Sequence, residues 1–131
     1  MATKYPKVYN LCNSPYVIEM EADMRILLIA TNRHNRLQSR MNAQPLPIGL
    51  AYIAGHIDQE RHELKVLDLM FSGEDYLEIV ENTVVEFQPD LVGISLRNLS
   101  NHSYLNTQWA LPLTKAVIGR IRENTLSLIH I

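Results

Sequence analysis

The run Pro89-Asp90-Leu91-Val92-Gly93-Ile94-Ser95 is the third short apolar segment in this chain, and a helical pattern lies between each successive pair. That alternation narrows the possible folds more than any other feature. Strands joined through helices pair in parallel, and their crossovers are right-handed. The chain is therefore expected to form an α/β domain built on a doubly wound parallel sheet. In such a sheet the ligand site lies outside the carboxyl ends of the strands, where the strand order reverses. Ser95 and the loop after it belong on that edge.

The first strand begins abruptly at Met24-Arg25-Ile26-Leu27-Leu28-Ile29-Ala30-Thr31. Residues 1–23 before it show no clear periodicity, and they read as an N-terminal extension with Met24 as a candidate natural start. A polar loop runs from Asn32 to Gln44 and ends in Pro45-Leu46-Pro47, and proline is well placed in a first helical turn. Leu50, Ile53, Ala54 and Ile57 then recur at helical spacing. The second strand is Leu64–Leu69. Ser72-Gly73-Glu74-Asp75 resembles a capping box ahead of a helix that carries Leu77, Val80, Val84 and Phe87 on one face. Pro89 ends that helix. A third helix is expected from Pro112 to Arg122, with Leu113, Ala116, Val117 and Ile121 inward. The series predicts a Rossmann-like sheet of flavodoxin-type order, 2-1-3-4-5, incomplete at the C-terminus.

A length of 131 residues suits one domain on the prior of about 100–200 residues each. No run approaches the ~18 apolar residues of a membrane span, and no signal-peptide core precedes the fold. A cytoplasmic setting is expected, with neither a membrane nor a nucleic acid as partner. Cys12 is the single cysteine, which excludes an internal disulfide. Acids are absent from Met24 to Ile57 and again from Leu91 to Arg122, while most of the 14 acids lie between Asp58 and Asp90. A pocket made from the two acid-free segments would tolerate an anion, although clustering by chance is the competing explanation.

If strands one and three are neighbours, their loops face each other across the crevice. The first offers Thr31, Asn32, Arg33, His34, Asn35 and Arg36. The second offers Ser95, Arg97, Asn98, Ser100, Asn101 and His102. These side chains can bind the amides and phosphates of a large polar cofactor, or they can be ordinary solvated loop residues. Neither a G-x-G-x-x-G turn nor a phosphate-binding G-x-x-x-x-G-K-[ST] loop occurs. Asp68 ends the second strand, where capping a loop competes with contacting a ribose hydroxyl. His34 and His102 lie on the ligand edge, but a histidine without a fixed partner is a weak metal signal. His56 and His62 flank the opposite end and read as structural. Tyr52 and Trp109 read as apolar bulk before stacking platforms.

Three pieces together, Pro45-Leu46-Pro47-Ile48-Gly49-Leu50-Ala51-Tyr52-Ile53-Ala54, His62-Glu63-Leu64-Lys65-Val66-Leu67-Asp68 and Pro89–Ser95, resemble the N-terminal cobalamin (vitamin B12)-binding domain of cobalamin-dependent radical S-adenosylmethionine proteins. The resemblance covers residues 24 to 123. Arg97-Asn98-Leu99 is similar to a subset of those proteins. It implies cobalamin held against the carboxyl edge, with Thr31, Asn32, Arg33, Ser95, Arg97, Asn98 and Asn101 as its contacts. It also implies a downstream radical S-adenosylmethionine domain of the same chain, with a 4Fe–4S cluster and S-adenosylmethionine. Cobalamin mutases and methyltransferases carry D-x-H-x-x-G, whose histidine ligates cobalt. Here Asn32-Arg33-His34-Asn35-Arg36-Leu37 stands at that loop, with Asn for the orienting acid and Leu for the Gly. Ligation by His34 is therefore not expected, and no residue is assigned as a protein metal ligand. The cobalt of cobalamin is the metal that the resemblance implies.

The C-x-x-x-C-x-x-C motif of the catalytic domain does not occur in these residues, so 24–125 is expected to be a partial, non-catalytic cofactor domain. The tail Leu126-Ser127-Leu128-Ile129-His130-Ile131 matches an in-frame reading of a transposase adapter used in sequencing libraries. It is expected to be an artefact, with a genuine fourth strand as the alternative. Two other functions stay open: a sugar-nucleotide-binding half of a glycosyltransferase-like enzyme, and an interaction module without a cofactor.

Overall fold

The computed structural model describes residues 23–31, 33, 46–70, 72–96 and 109–131. Its elements are β1 (Arg25–Ala30), α1 (Ile48–His56), β2 (Glu63–Asp68), α2 (Tyr76–Phe87), β3 (Leu91–Ser95), α3 (Leu111–Asn124) and β4 (Leu128–His130). All strand pairs are parallel, in the order β2-β1-β3-β4. The first three strands and three helices follow the periodicity of the sequence to within a few residues at each end.

β1 lies between β2 and β3 and is covered on both faces, so five consecutive residues after Arg25 are buried. A strand enclosed on both sides needs a continuous apolar run, which Ile26–Ala30 supplies. Its alternate side chains enter two different cores. Leu27 and Ile29 pack with Val92 and Ile94 of β3, Val80 and Val84 of α2, and Val117 and Ile121 of α3. Ile26, Leu28 and Ala30 pack with Leu50 on the opposite face, where Ala54 and Ile57 also contribute. Each fully buried aliphatic side chain contributes about 1.5–3 kcal/mol relative to exposure. α2 and α3 therefore carry the larger core and α1 the smaller one.

Gly93 permits this packing. It is paired with Leu28 across the sheet, and a Cβ at Gly93 would lie 2.7 Å from Cδ2 of Leu28. That is well inside van der Waals contact, so the Leu28 side chain occupies the space a larger residue would need.

Three expectations differ from the structure. Ile53 is exposed rather than inward, because Leu50, Ala54 and Ile57 define the side of α1 that meets the sheet. Tyr52 is 69% exposed and is not core bulk; it stacks against His56 with ring centroids 4.4 Å apart. Ser72 does not cap α2. Its hydroxyl donates to the Leu69 carbonyl at 2.6 Å, while Asp75 stands at the N-cap without a side-chain hydrogen bond.

The structural reading of His62 agrees with its place at the amino edge, where its Nδ1 accepts the Met24 N–H at 3.2 Å. Leu128–His130 pairs with Leu91–Gly93, and the Leu128 N–H donates to the Asp90 carbonyl at 3.2 Å. Among the described residues no helix is long and apolar enough to cross a membrane.

Candidate functional site: the carboxyl edge between β1 and β3

The strand order reverses between β1 and β3. The chain leaves β1 toward β2 on one side and returns from α2 into β3 on the other. Crossovers that diverge from neighbouring strands leave a crevice at their carboxyl ends. Thr31 and Ser95 stand on its two sides, one residue past β1 and at the end of β3. The Thr31 N–H donates to the Ser95 carbonyl at 3.3 Å, continuing the ladder by one step.

The side chain of Thr31 turns into the protein. The residue is 2% exposed, and its hydroxyl donates to the Ser95 carbonyl at 3.1 Å. It also lies 3.3 Å from the hydroxyl of Thr114 in the first turn of α3. One hydroxyl thus links the ends of two strands and the start of a helix.

Arg33 is bound by the neighbouring loop. Its Nη2 donates to the Gly73 carbonyl at 2.6 Å and to Oε1 of Glu74 at 3.2 Å. The guanidinium lies over the Tyr76 ring, 4.2 Å from its centroid. The side chain is 18% exposed, and its Nε is buried with no hydrogen-bond partner among the described residues. Two contacts and a ring face fix the root of the β1 loop to the start of α2.

Asp68 acts as a loop cap. Its Oδ1 accepts the Met70 N–H at 2.9 Å, which shapes the turn after β2. Ser95 is half-buried at the rim. Asn32, His34, Asn35, Arg36, Arg97, Asn98, Ser100, Asn101 and His102 lie outside the described residues. Of the seven candidate contacts, the structure therefore brings together Thr31, Arg33 and Ser95. Among the described residues no group of three or more His, Cys, Asp and Glu side chains is arranged to hold a metal ion.

Reading the sequence missed Thr114. It falls on the same stripe of α3 as Val117 and Ile121, all three buried. A hydroxyl on an otherwise apolar inward stripe signals a buried hydrogen-bond partner, and that signal was present in the spacing. The partnership of Arg33 with Gly73, Glu74 and Tyr76 had no such signal.

The fold has close counterparts among solved structures. A structure of the radical S-adenosylmethionine methyltransferase TsrM from Kitasatospora setae, with cobalamin and a 4Fe–4S cluster bound, matches with a TM-score of 0.69 and 22% identity over 82% of this chain. A second TsrM structure, with tryptophan substrate and a S-adenosylmethionine analogue, matches with a TM-score of 0.68 and 23% identity over 80% of this chain. The chain spans 18% of the length of the TsrM chains it matches. No protein-family profile and no curated protein matches it. At this identity the likeness establishes an open, Rossmann-like α/β fold.

Proposed function

We propose that this chain is the cobalamin-binding part of a cobalamin-dependent radical S-adenosylmethionine enzyme. The observation that carries the reading is the match of four-fifths of the chain to a protein with cobalamin bound, joined to a sheet whose order reverses between β1 and β3. The cofactor would lie against the carboxyl ends of those strands, among the loops of Thr31, Asn32, Arg33, Ser95, Arg97, Asn98 and Asn101.

The donor set suits such a ligand. The ends of β1 and β3 carry no acid, and the two loops are rich in amides and guanidinium groups. They fit the amide side chains and phosphate of cobalamin better than they fit a metal ion. Bound cobalamin supplies a cobalt centre able to accept and donate a methyl group. This chain's residues would orient the cofactor and shield one of its faces. A downstream domain with a 4Fe–4S cluster and S-adenosylmethionine would supply the radical chemistry, and residues 24–125 would be non-catalytic by themselves. A cytoplasmic location belongs to the same proposal.

The sugar-nucleotide alternative is not favoured, since the matching structures are of a radical S-adenosylmethionine methyltransferase. The test is reconstitution of the protein, expressed from its complete coding region, with hydroxocobalamin. Corrin absorbance that stays with the protein through desalting is expected. Protein that emerges colourless, with no heat of binding in titration calorimetry, refutes the reading and favours a cofactor-free module.

A further inference from the structure

α3 is anchored along most of its length by apolar contacts. Val117 and Ile121 are buried in the main core, with Leu113 and Ile118 packed around them. Its first turn is held differently. Thr114 is 3% exposed, its N–H donates to the Ala110 carbonyl at 3.1 Å, and its hydroxyl has two partners in reach. One is the Ala110 carbonyl at 3.2 Å; the other is the Thr31 hydroxyl at 3.3 Å. Thr31 gives its single proton to the Ser95 carbonyl, so its oxygen is left to accept from Thr114. The chain of bonds runs from α3 through β1 to β3.

Both loops that frame the crevice are rooted at this chain. The segment bearing Arg97, Asn98 and Asn101 joins Leu96 to Trp109, one residue before Ala110. The segment bearing Asn32 and Arg33 begins at Thr31. A shift of the first turn of α3 would move the return point of one loop relative to the origin of the other.

We propose that Thr31 and Thr114 are positioning residues for the carboxyl-edge site: their paired hydroxyls hold the two loop roots at the separation that lets the loops grip one ligand. The ligand class rests on the cobalamin reading, whereas the hydroxyl linkage rests on the geometry alone. Buried hydroxyls suit this role because their bonds are short-ranged and directional, while apolar packing tolerates sliding. Valine at 114 keeps the shape and the apolar contacts but removes the bond. The helix would stay docked and its first turn would loosen.

Thr83 provides the comparison. It is also buried, and its hydroxyl donates to the Ile79 carbonyl at 2.7 Å, but it lies within α2. Thr83→Val therefore removes a buried hydroxyl of the same kind without touching the crevice. In the protein expressed from its complete coding region, Thr114→Val is expected to weaken hydroxocobalamin binding about tenfold. Thr114→Ser should restore it to within about twofold, and Thr83→Val should leave it unchanged. Amide hydrogen exchange at Val117 and the residues just before it should accelerate in Thr114→Val alone, with or without cobalamin.

Unchanged exchange in Thr114→Val overturns the linkage, as does equal acceleration in Thr83→Val. Equal weakening of binding by the two valine variants would reduce Thr114 to a purely structural residue. Wild-type protein that takes up no cobalamin, yet shows the exchange difference, would refute the cofactor and leave the linkage standing.

Discussion

The guanidinium carbon of Arg33 lies 4.2 Å from the centre of the Tyr76 ring, so the loop after β1 and the first residue of α2 are joined at the edge of the sheet. The same guanidinium meets a backbone carbonyl and a carboxylate. These three contacts are not equal. Glu74 is 97% exposed, and a pair with one partner in water contributes little. The ring face and the Gly73 carbonyl operate where water is largely excluded.

Arg33→Ala is accordingly expected to lower stability by about 1–2 kcal/mol in chemical denaturation. Arg33→Lys should recover only part of this, because an ammonium cannot both stack and bond as a planar fork does. Glu74→Gln should leave the denaturation midpoint where it is. A midpoint that falls as far for Glu74→Gln as for Arg33→Ala would mean that the ion pair, not the ring and carbonyl, holds the loop.

Gly93 and Leu28 compete for one space on the α1 face of the sheet. Gly93→Ala should destabilise the domain by about 1–3 kcal/mol through overpacking. In a Leu28→Ala background the colliding methyl is gone, and the same substitution should be close to neutral or favourable. A double-mutant cycle measures this coupling. Additive effects in the cycle would show that the collision is relieved some other way.

Gln88 follows α2 with φ 49° and ψ 60°, the left-handed region. Among the described residues it is the one non-glycine with positive φ. Gln88→Gly should stabilise the protein by a few tenths to about 1 kcal/mol by removing that strain. The side-chain bond from Nε2 to the Val85 carbonyl, 2.9 Å, is exposed and offsets part of the gain. A lower thermal midpoint for Gln88→Gly would show the reverse balance.

Two predictions concern the ends of the domain. A longer read of the coding region should continue past Thr125 with residues other than Leu126–Ile131, and an unchanged reading there would establish β4 as native. Peptide mapping of the expressed protein should begin at Met24, whereas a peptide covering Tyr5–Val17 would place the start upstream.

Much of the fold was legible in the residues. The five apolar positions after Arg25 show a strand covered on both faces, and Leu77, Val80, Val84 and Phe87 show the inward stripe of α2. α1 was less legible. Its nine residues carry no Asp, Glu, Lys or Arg, so spacing alone did not separate its buried side from Tyr52 and Ile53. In the candidate site, Asp68 was readable as a loop cap, since an aspartate bonding two residues ahead is a local motif. Thr31 was placed on the right edge by its position after β1, but the direction of its hydroxyl depended on a partner 83 residues away.

Strand, helix and inward face are set by periodicities of two and 3.6 residues, and a chain carries these in its own order. The sequence by itself thus determined the alternation, the parallel sheet and the loops that stand at its carboxyl edge. Only the tertiary structure decided which polar groups on that edge are spent inside the protein. Thr31 meets Ser95 and Thr114, and Arg33 meets Gly73 and Tyr76, because strand order and helix docking bring distant segments within hydrogen-bond reach. Those contacts depend on ångström-scale distances between elements, which no local pattern of residues encodes.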